Sequence, residues 1–204
     1  MLQVAILGSG RGSNFQAILN ALQRGEIPNV RIRIVLSNNS GAGILELARA
    51  NNIPAVHLSQ LMFPDRDRFV EAMLNAFRDH DVNFIALAGY MKQLDSRIIS
   101  KFRNRIVNIH PALLPKYGGK GMYGMHVHEA VVANGERVTG ATVHMVDEEF
   151  DHGAIVLQKQ VAIERGDTPE AVAAKVLRIE HEIYPQALRM FAEGFIVRHN
   201  IAVH

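Results

Sequence analysis

Short apolar runs along this chain alternate with stretches in which apolar residues recur at helical spacing. The runs predict strands at 2–7, 30–36, 56–58, 84–88, 106–110, 138–145 and 155–163. The helical spacing predicts helices from 15 to a stop at Gly25, at about 64–80, and at 44–50 and 96–102. An apolar stripe that begins at Val172 predicts a long C-terminal helix that reaches at least Tyr184. Because strands that alternate with helices are typical of α/β proteins, we expect a doubly wound, mostly parallel sheet in a single domain over 1–204, with a Rossmann-like N-terminal half.

The predicted strand at 106–110 ends in two polar side chains that point the same way. Asn108 and His110 are two residues apart, so they project from one face of the strand, and Pro111 ends it. Open α/β sheets bind their ligands at the carboxyl ends of their strands. An amide can hold an oxyanion and an imidazole can move a proton, so this pair predicts a reactive site.

A glycine-rich turn, Gly-Ser-Gly-Arg-Gly-Ser-Asn, occupies 8–14 between the first strand and the first helix. Backbone N–H groups at such a turn attract an anion, and we favour a cradle for a single phosphate. The dinucleotide motif G-x-G-x-x-G is incomplete, and the Lys-Ser/Thr pair of a Walker A loop is absent. A tight turn in which Ser13 or Asn14 caps the helix is the alternative.

Four carboxylates follow the predicted strand at 138–145. Asp147, Glu148 and Glu149 fit either a solvated charged loop or a ligand site. Asp151 differs because it lies between Phe150 and a His-Gly turn that leads into the next strand. A carboxylate at the mouth of a strand can orient a histidine, as it does in catalytic triads.

Composition limits the remaining chemistry. The formal net charge is +2 and no basic run is present, so we expect no nucleic-acid partner. The chain has no cysteine, which excludes thiolate metal sites and cysteine nucleophiles and suits a reducing compartment. No apolar stretch approaches the length that spans a membrane, and the start lacks a signal-peptide pattern, so we expect a cytoplasmic protein without a membrane partner.

Two further histidines raise the question of a metal. His126 and His128 are two apart on a segment that we predict to be extended, where they could join His110 around an ion. They lack a nearby carboxylate partner, so we expect no metal.

Three motifs stand in a fixed order along the chain: the turn at 8–14, Asn-Ile-His-Pro-Ala-Leu-Leu-Pro at 108–115, and the segment 140–153. In this order they resemble the folate-dependent formyltransferase family over nearly the whole chain, and the turn resembles its branch that acts on glycinamide ribonucleotide. The resemblance implies transfer of a formyl group from 10-formyltetrahydrofolate, as co-substrate, to the substrate amine without a metal. It also implies a phosphate-binding half at about 1–100 and a folate and catalytic half at about 101–204.

The same resemblance implies roles for individual residues. His110 would transfer the proton of the attacking amine, Asn108 would donate to the oxyanion, and Asp151 would orient His110. The ribonucleotide would be held by Gly12, Ser13, Asn14 and Glu180. The folate would be held by Arg66, Met91, Lys92, Gln93, Leu94, Asn108, Val146, Asp147, Glu148 and Glu149. For Arg66 and Glu180, a solvated charge on a helix is the alternative.

Other functions stay open on the sequence alone. A formyltetrahydrofolate hydrolase uses similar residues but passes the formyl group to water; such enzymes carry an additional N-terminal regulatory domain, which we do not expect here. A non-catalytic nucleotide-binding module is the alternative of a different class. We expect small-molecule substrates as partners, and either a monomer or a homodimer.

Overall fold

Strands and helices alternate in the computed structural model, which describes residues 1–194. The strands are β1 (Leu2–Leu7), β2 (Val30–Ser37), β3 (Ala55–His57), β4 (Phe84–Leu87), β5 (Ile106–His110), β6 (Val138–Met145) and β7 (Ile155–Ala162). The helices are α1 (Ser13–Gln23), α2 (Gly43–Ala50), α3 (Arg66–Asp79), α4 (Ser96–Lys101), α5 (Met125–Ala133) and α6 (Pro169–Ala192), with a 3₁₀ turn at Gln60–Met62. The last ten residues of the predicted domain, 195–204, lie outside the described part.

All seven strands form one sheet in the order β3-β2-β1-β4-β5-β6-β7. The first five strands of the chain pair in parallel, and β6 and β7 are antiparallel to their neighbours. The predicted α/β class with a mostly parallel sheet is therefore confirmed. The order reverses direction between β1 and β4, which is where open α/β sheets form a ligand crevice.

Helices cover both faces of the sheet, which explains why its central strands read as unbroken apolar runs. Along β1, Val4 and Ile6 pack into a core shared with α1, α2 and α6. Ala5 and Leu7 point the other way, into a second core shared with α3 and α4. Within residues 1–194, no helix is long and apolar enough to cross a bilayer.

The long helix α6 packs against the sheet and contacts the end of β4. Its first turn is capped by Thr168, whose hydroxyl accepts from the Ala171 N–H at 3.3 Å. Tyr184 is fully buried, and its hydroxyl donates to the Leu87 carbonyl at 2.8 Å, at the carboxyl end of β4. This contact holds α6 against the edge of the sheet where the crevice lies.

Two predicted elements need correction. The segment with His126 and His128 is helix α5, so the prediction of an extended segment is wrong. Val127 and Val131 are four apart and both buried, and this spacing was the helical pattern in the sequence. Helix α3 begins at Arg66 rather than Pro64, because the Asp65 side chain accepts from the Arg68 N–H at 2.8 Å and caps it there.

Candidate active site

A cavity of about 740 Å³ opens at the carboxyl ends of β1, β4 and β5. This volume is typical of a small-molecule site. Of the predicted site residues, the cavity is lined by Gly12, Ser13, Asn14, Met91, Lys92, Gln93, Leu94, Asn108, His110, Val146, Asp147, Glu149, Asp151 and Glu180. Segments that lie far apart in the sequence thus meet around one space.

Two predicted folate residues do not line this cavity. The Arg66 Nε donates to Asp95 at 2.6 Å, and the Arg66 side chain remains more than half exposed. The Glu148 carboxylate accepts from Arg103 at 3.3 Å, and its backbone carbonyl accepts from Gln93. A direct folate contact of either side chain therefore stays a prediction, and in the structure both brace the neighbouring loops.

The glycine-rich turn leads directly into α1. Gly12 is the N-cap residue and has φ +87°, in the left-handed region that favours glycine. A Cβ at this position would lie 2.9 Å from Ile44, so the packing of α2 also requires glycine. Within residues 1–194 no side chain caps the helix, so the alternative of a cap from Ser13 or Asn14 is wrong. The first amides of α1 are therefore free of a capping side chain, as an anion cradle requires.

A buried polar pair lies beside this turn. The Asn14 Nδ2 donates to Glu180 at 2.6 Å, although the two residues are 166 positions apart. Both are 8% exposed, so Glu180 is not a solvated helical charge. Burial raises the pKa of Glu180, and the Asn14 hydrogen bond opposes that rise. The Asn14 Oδ1 is buried without a partner among the described residues, so it is free to accept from a ligand.

Asn108, His110 and Asp151 meet on the opposite side of the crevice mouth. The Asp151 carboxylate places Oδ2 3.4 Å from the His110 Nδ1 and Oδ1 3.5 Å from the Asn108 Nδ2. The Gly119 N–H also donates to the Asp151 Oδ2 at 3.0 Å. Burial acts to raise the pKa of Asp151, but the neighbouring His110 and the Gly119 N–H act to lower it, and the net shift is downward, so the carboxylate is ionised at neutral pH.

His110 is buried between two hydrogen-bond acceptors. Its Nε2 lies 2.7 Å from the Tyr117 carbonyl oxygen, which can only accept, so Nε2 carries a proton. Its Nδ1 faces the Asp151 carboxylate. Burial lowers the pKa of His110, while Asp151 and the Tyr117 carbonyl raise it. The effect of burial is the larger, so the pKa of His110 lies below the usual value for histidine.

His144 is a site residue that the sequence reasoning missed. It lies directly across from Asn108 in the antiparallel pairing of β5 and β6, and it is 2% exposed. Its Nε2 is 3.1 Å from the Asn108 Nδ2 and 3.4 Å from the Asp151 Oδ1. The motif Thr-Val-His-Met-Val-Asp contains this histidine, but only the strand register shows that it faces Asn108.

The loop after β4 is tied to the glycine-rich turn by Ser9. The Ser9 hydroxyl donates to the Asn38 Oδ1 at 2.5 Å and accepts from the Met91 N–H at 2.8 Å. Met91, Lys92, Gln93 and Leu94 all line the cavity. One hydroxyl therefore joins the first, second and fourth strand ends at the cavity rim.

A glycine-rich turn and a largely buried Asn–His–Asp cluster line one cavity at the strand ends of an α/β sheet, an arrangement typical of α/β enzymes. The family model described as formyl transferase matches residues 2–188, and the chain belongs to this family. The predicted family resemblance is thereby confirmed.

Within this family, the chain is similar to proteins that are named phosphoribosylglycinamide formyltransferase. The chain is 34% identical to phosphoribosylglycinamide formyltransferase of Escherichia coli (strain K12) over 98% of this chain and 92% of that protein. It is 38% identical to the chloroplastic phosphoribosylglycinamide formyltransferase of Vigna unguiculata over 96% of this chain, but it spans only 62% of that protein's length. Among solved structures, glycinamide ribonucleotide transformylase 1 of Symbiobacterium toebii matches with a TM-score of 0.88 and 38% identity, covering 95% of this chain and 89% of that one.

Proposed function

We propose that this protein transfers the formyl group of 10-formyltetrahydrofolate to the amine of glycinamide ribonucleotide, a step of purine biosynthesis. The observation that carries the proposal is the shared cavity, which joins the uncapped turn at Gly12 and the Asn14–Glu180 pair to the Asn108, His110 and Asp151 cluster. The names of the relatives support the same substrate pair.

In the proposed reaction the substrate amine is the nucleophile. Its nitrogen attacks the formyl carbon, a C–N bond forms, and the carbonyl electron pair moves to oxygen. The Asn108 amide donates to that oxyanion, which is the kind of preorganised stabilisation that dominates acyl transfer. The carbonyl then re-forms as the bond to the folate nitrogen breaks. The proton lost by the amine passes through His110 to the leaving nitrogen, with Asp151 holding the ring in place.

The two substrates occupy different parts of the lining in this proposal. The substrate phosphate binds the backbone amides of Gly12, Ser13 and Asn14, and its sugar hydroxyls donate to Glu180. The folate lies against the residues that follow β4 and β6, at 91–94 and 146–149. The transfer needs no metal, because the oxyanion and the proton are both managed by side chains.

A spectroscopic assay with both substrates tests the proposal. We expect consumption of 10-formyltetrahydrofolate only when glycinamide ribonucleotide is present. Folate turnover that does not depend on the ribonucleotide would instead indicate a hydrolase, and binding of the ribonucleotide without any turnover would indicate a non-catalytic module.

Variants of the cluster test the assigned roles. We expect His110→Ala and Asp151→Asn to lower kcat by about 10² to 10⁴-fold, the range of general acid–base catalysis, with both dissociation constants kept within about threefold. His126→Ala is the matched control, because His126 is exposed and lies outside the cavity lining. Normal turnover of either cluster variant would show that its assigned role is wrong.

A further inference from the structure

The side chain of His144 is fixed in one tautomer by its own strand. Its Nδ1 lies 2.8 Å from the Met145 carbonyl oxygen. A carbonyl oxygen only accepts hydrogen bonds, so Nδ1 carries the proton and the neutral ring has its lone pair on Nε2. The Nε2 can then accept, and the group that it meets is the Asn108 Nδ2 at 3.1 Å.

This contact determines which end of the Asn108 amide faces His144. An acceptor at the His144 Nε2 requires the Nδ2 end of the amide, and the nearby Asp151 carboxylate requires the same end. With the amide turned over, its oxygen would face a lone pair and a carboxylate. His144 and Asp151 thus exclude the turned-over amide.

The geometry also leaves one amide hydrogen free. The Asn108 Nδ2, the His144 Nε2 and the Asp151 Oδ1 form a nearly equilateral triangle with sides of 3.1, 3.4 and 3.5 Å. The two acceptors are therefore about 60° apart as seen from Nδ2, whereas the two N–H bonds of an amide diverge by about 120°. One hydrogen can therefore serve both acceptors, which leaves the second available at the cavity that Asn108 lines.

We propose that His144 is a positioning residue: by accepting one Asn108 N–H, it holds the amide so that the other N–H is presented to the reacting oxygen. This inference rests on the proposed formyl transfer, in which Asn108 donates to the oxyanion. His144 does not touch the substrates in this arrangement, and it acts through Asn108.

Two matched variants of His144 distinguish the loss of its hydrogen-bond acceptor from the loss of side-chain volume. In His144→Gln the side-chain carbonyl can take the place of Nε2, whereas in His144→Asn the shorter amide can reach Met145 but leaves no acceptor for Asn108. We expect His144→Asn to lower kcat by about 10- to 100-fold, less than the 10² to 10³-fold typical of a lost oxyanion donor, with both KM values within about twofold. His144→Gln should recover kcat to within about threefold of the parent. Equal losses in the two variants would overturn the proposal.

A double-variant cycle tests whether His144 acts through Asn108. We expect Asn108→Ala combined with His144→Asn to have the kcat of Asn108→Ala alone, since the group to be positioned is already gone. If the fold-losses in kcat of the two single variants multiply in the double variant, His144 acts independently of Asn108, and this result would contradict the inference.

A measurement without turnover separates this inference from the proposed function. Long-range ¹H–¹⁵N correlation spectra of the parent protein, with His144 assigned by comparison with His144→Gln, should show the Nδ1–H tautomer. A proton on Nε2, either in the other neutral tautomer or in a doubly protonated ring, would overturn the inference even in an active enzyme. A parent protein with the Nδ1–H tautomer but no ribonucleotide-dependent turnover would refute the proposed function and leave the orientation of the amide established.

Discussion

At the scale of single residues, two carboxylates in the site have pKa values that are shifted by different causes: hydrogen-bonding and charged neighbours for Asp151, and burial for Glu180. Asp151 is kept ionised by His110 and the Gly119 N–H in spite of its burial. Glu180 has a single donor, Asn14, and burial raises its pKa. The pKa values of the two carboxylates are therefore shifted in opposite directions, although both residues line the same cavity.

The raised pKa of Glu180 predicts that the stability of the protein falls as pH rises, whereas its affinity for the ribonucleotide falls as pH decreases. Because its pKa is raised in the folded protein, its contribution to the free energy of unfolding is present below the unfolded pKa and is lost as pH rises through the folded pKa. The ionised carboxylate accepts more strongly from sugar hydroxyls than the protonated group does, so ribonucleotide affinity should fall by up to about tenfold per pH unit below the folded pKa.

Calorimetric titration with glycinamide ribonucleotide at several pH values measures this effect. Glu180→Gln should bind weakly at every pH and lose the dependence. Asn14→Ala should shift the loss of affinity to higher pH, because it removes the hydrogen bond that opposes the rise in pKa. An Asn14→Ala profile that coincides with the parent profile would contradict this account.

At the scale of elements, Asp95 joins the start of α4 to the start of α3. Its carboxylate accepts from the Arg97 N–H at 3.1 Å as the N-cap of α4, and from the Arg97 and Arg66 side chains at 2.8 and 2.6 Å. Arg97 is the main cause that lowers the pKa of Asp95; burial opposes it, and Arg66 adds to it. This stabilisation is therefore present above the ordinary aspartate range and is lost as pH falls through the lowered pKa.

Substitution of Asp95 should destabilise the fold without changing the chemistry. We expect Asp95→Ala to lower the free energy of unfolding by about 1 to 2 kcal/mol at pH 7, the upper part of the N-cap range, and Asp95→Asn to lose less because asparagine still caps. Both variants should lose less stability than the parent on acidification below about pH 4. Urea unfolding measures these differences, with the exposed Asp79→Ala as the control. If the free energy of unfolding depends on pH in the same way in the parent and in Asp95→Asn, the Asp95 carboxylate does not contribute to the acid dependence of stability.

The elements that could be predicted from the sequence were those whose pattern reports burial directly. The apolar runs predicted β1 to β7, because burial on one or both faces imposes those patterns. Helix α5 was missed because it follows a stretch with four glycines at 116–125 and carries only a short apolar stripe. The partner of Asn108 could not be predicted, because strand register decides which residue lies opposite and the sequence of β6 is compatible with several registers.

At the scale of the whole molecule, the site depends on contacts between distant parts of the chain. The parallel topology predicts that strand ends meet, and this is why the turn at Gly12 and the pair Asn108 and His110 could be assigned to one edge from the sequence. The Asn14–Glu180 contact, by contrast, depends on how α6 packs across the sheet. That placement follows from side-chain packing between helices, which periodicity alone does not determine.

If the protein binds the two substrates of the proposed function, the Ser9 hydroxyl has a thermodynamic consequence for both. It joins the segment beside the phosphate turn to the Met91 N–H at the start of the folate segment, so ordering one rim restricts the other. Thermodynamic linkage is reciprocal, so whatever factor the ribonucleotide contributes to folate affinity, the folate must return to ribonucleotide affinity. We expect Ser9→Ala to reduce both factors equally, which titrations of each ligand with and without the other will measure. If each ligand still changes the affinity for the other by the same factor in Ser9→Ala, the coupling does not depend on this hydroxyl. If both factors decrease equally, a single hydroxyl accounts for the cooperativity between the two ligands.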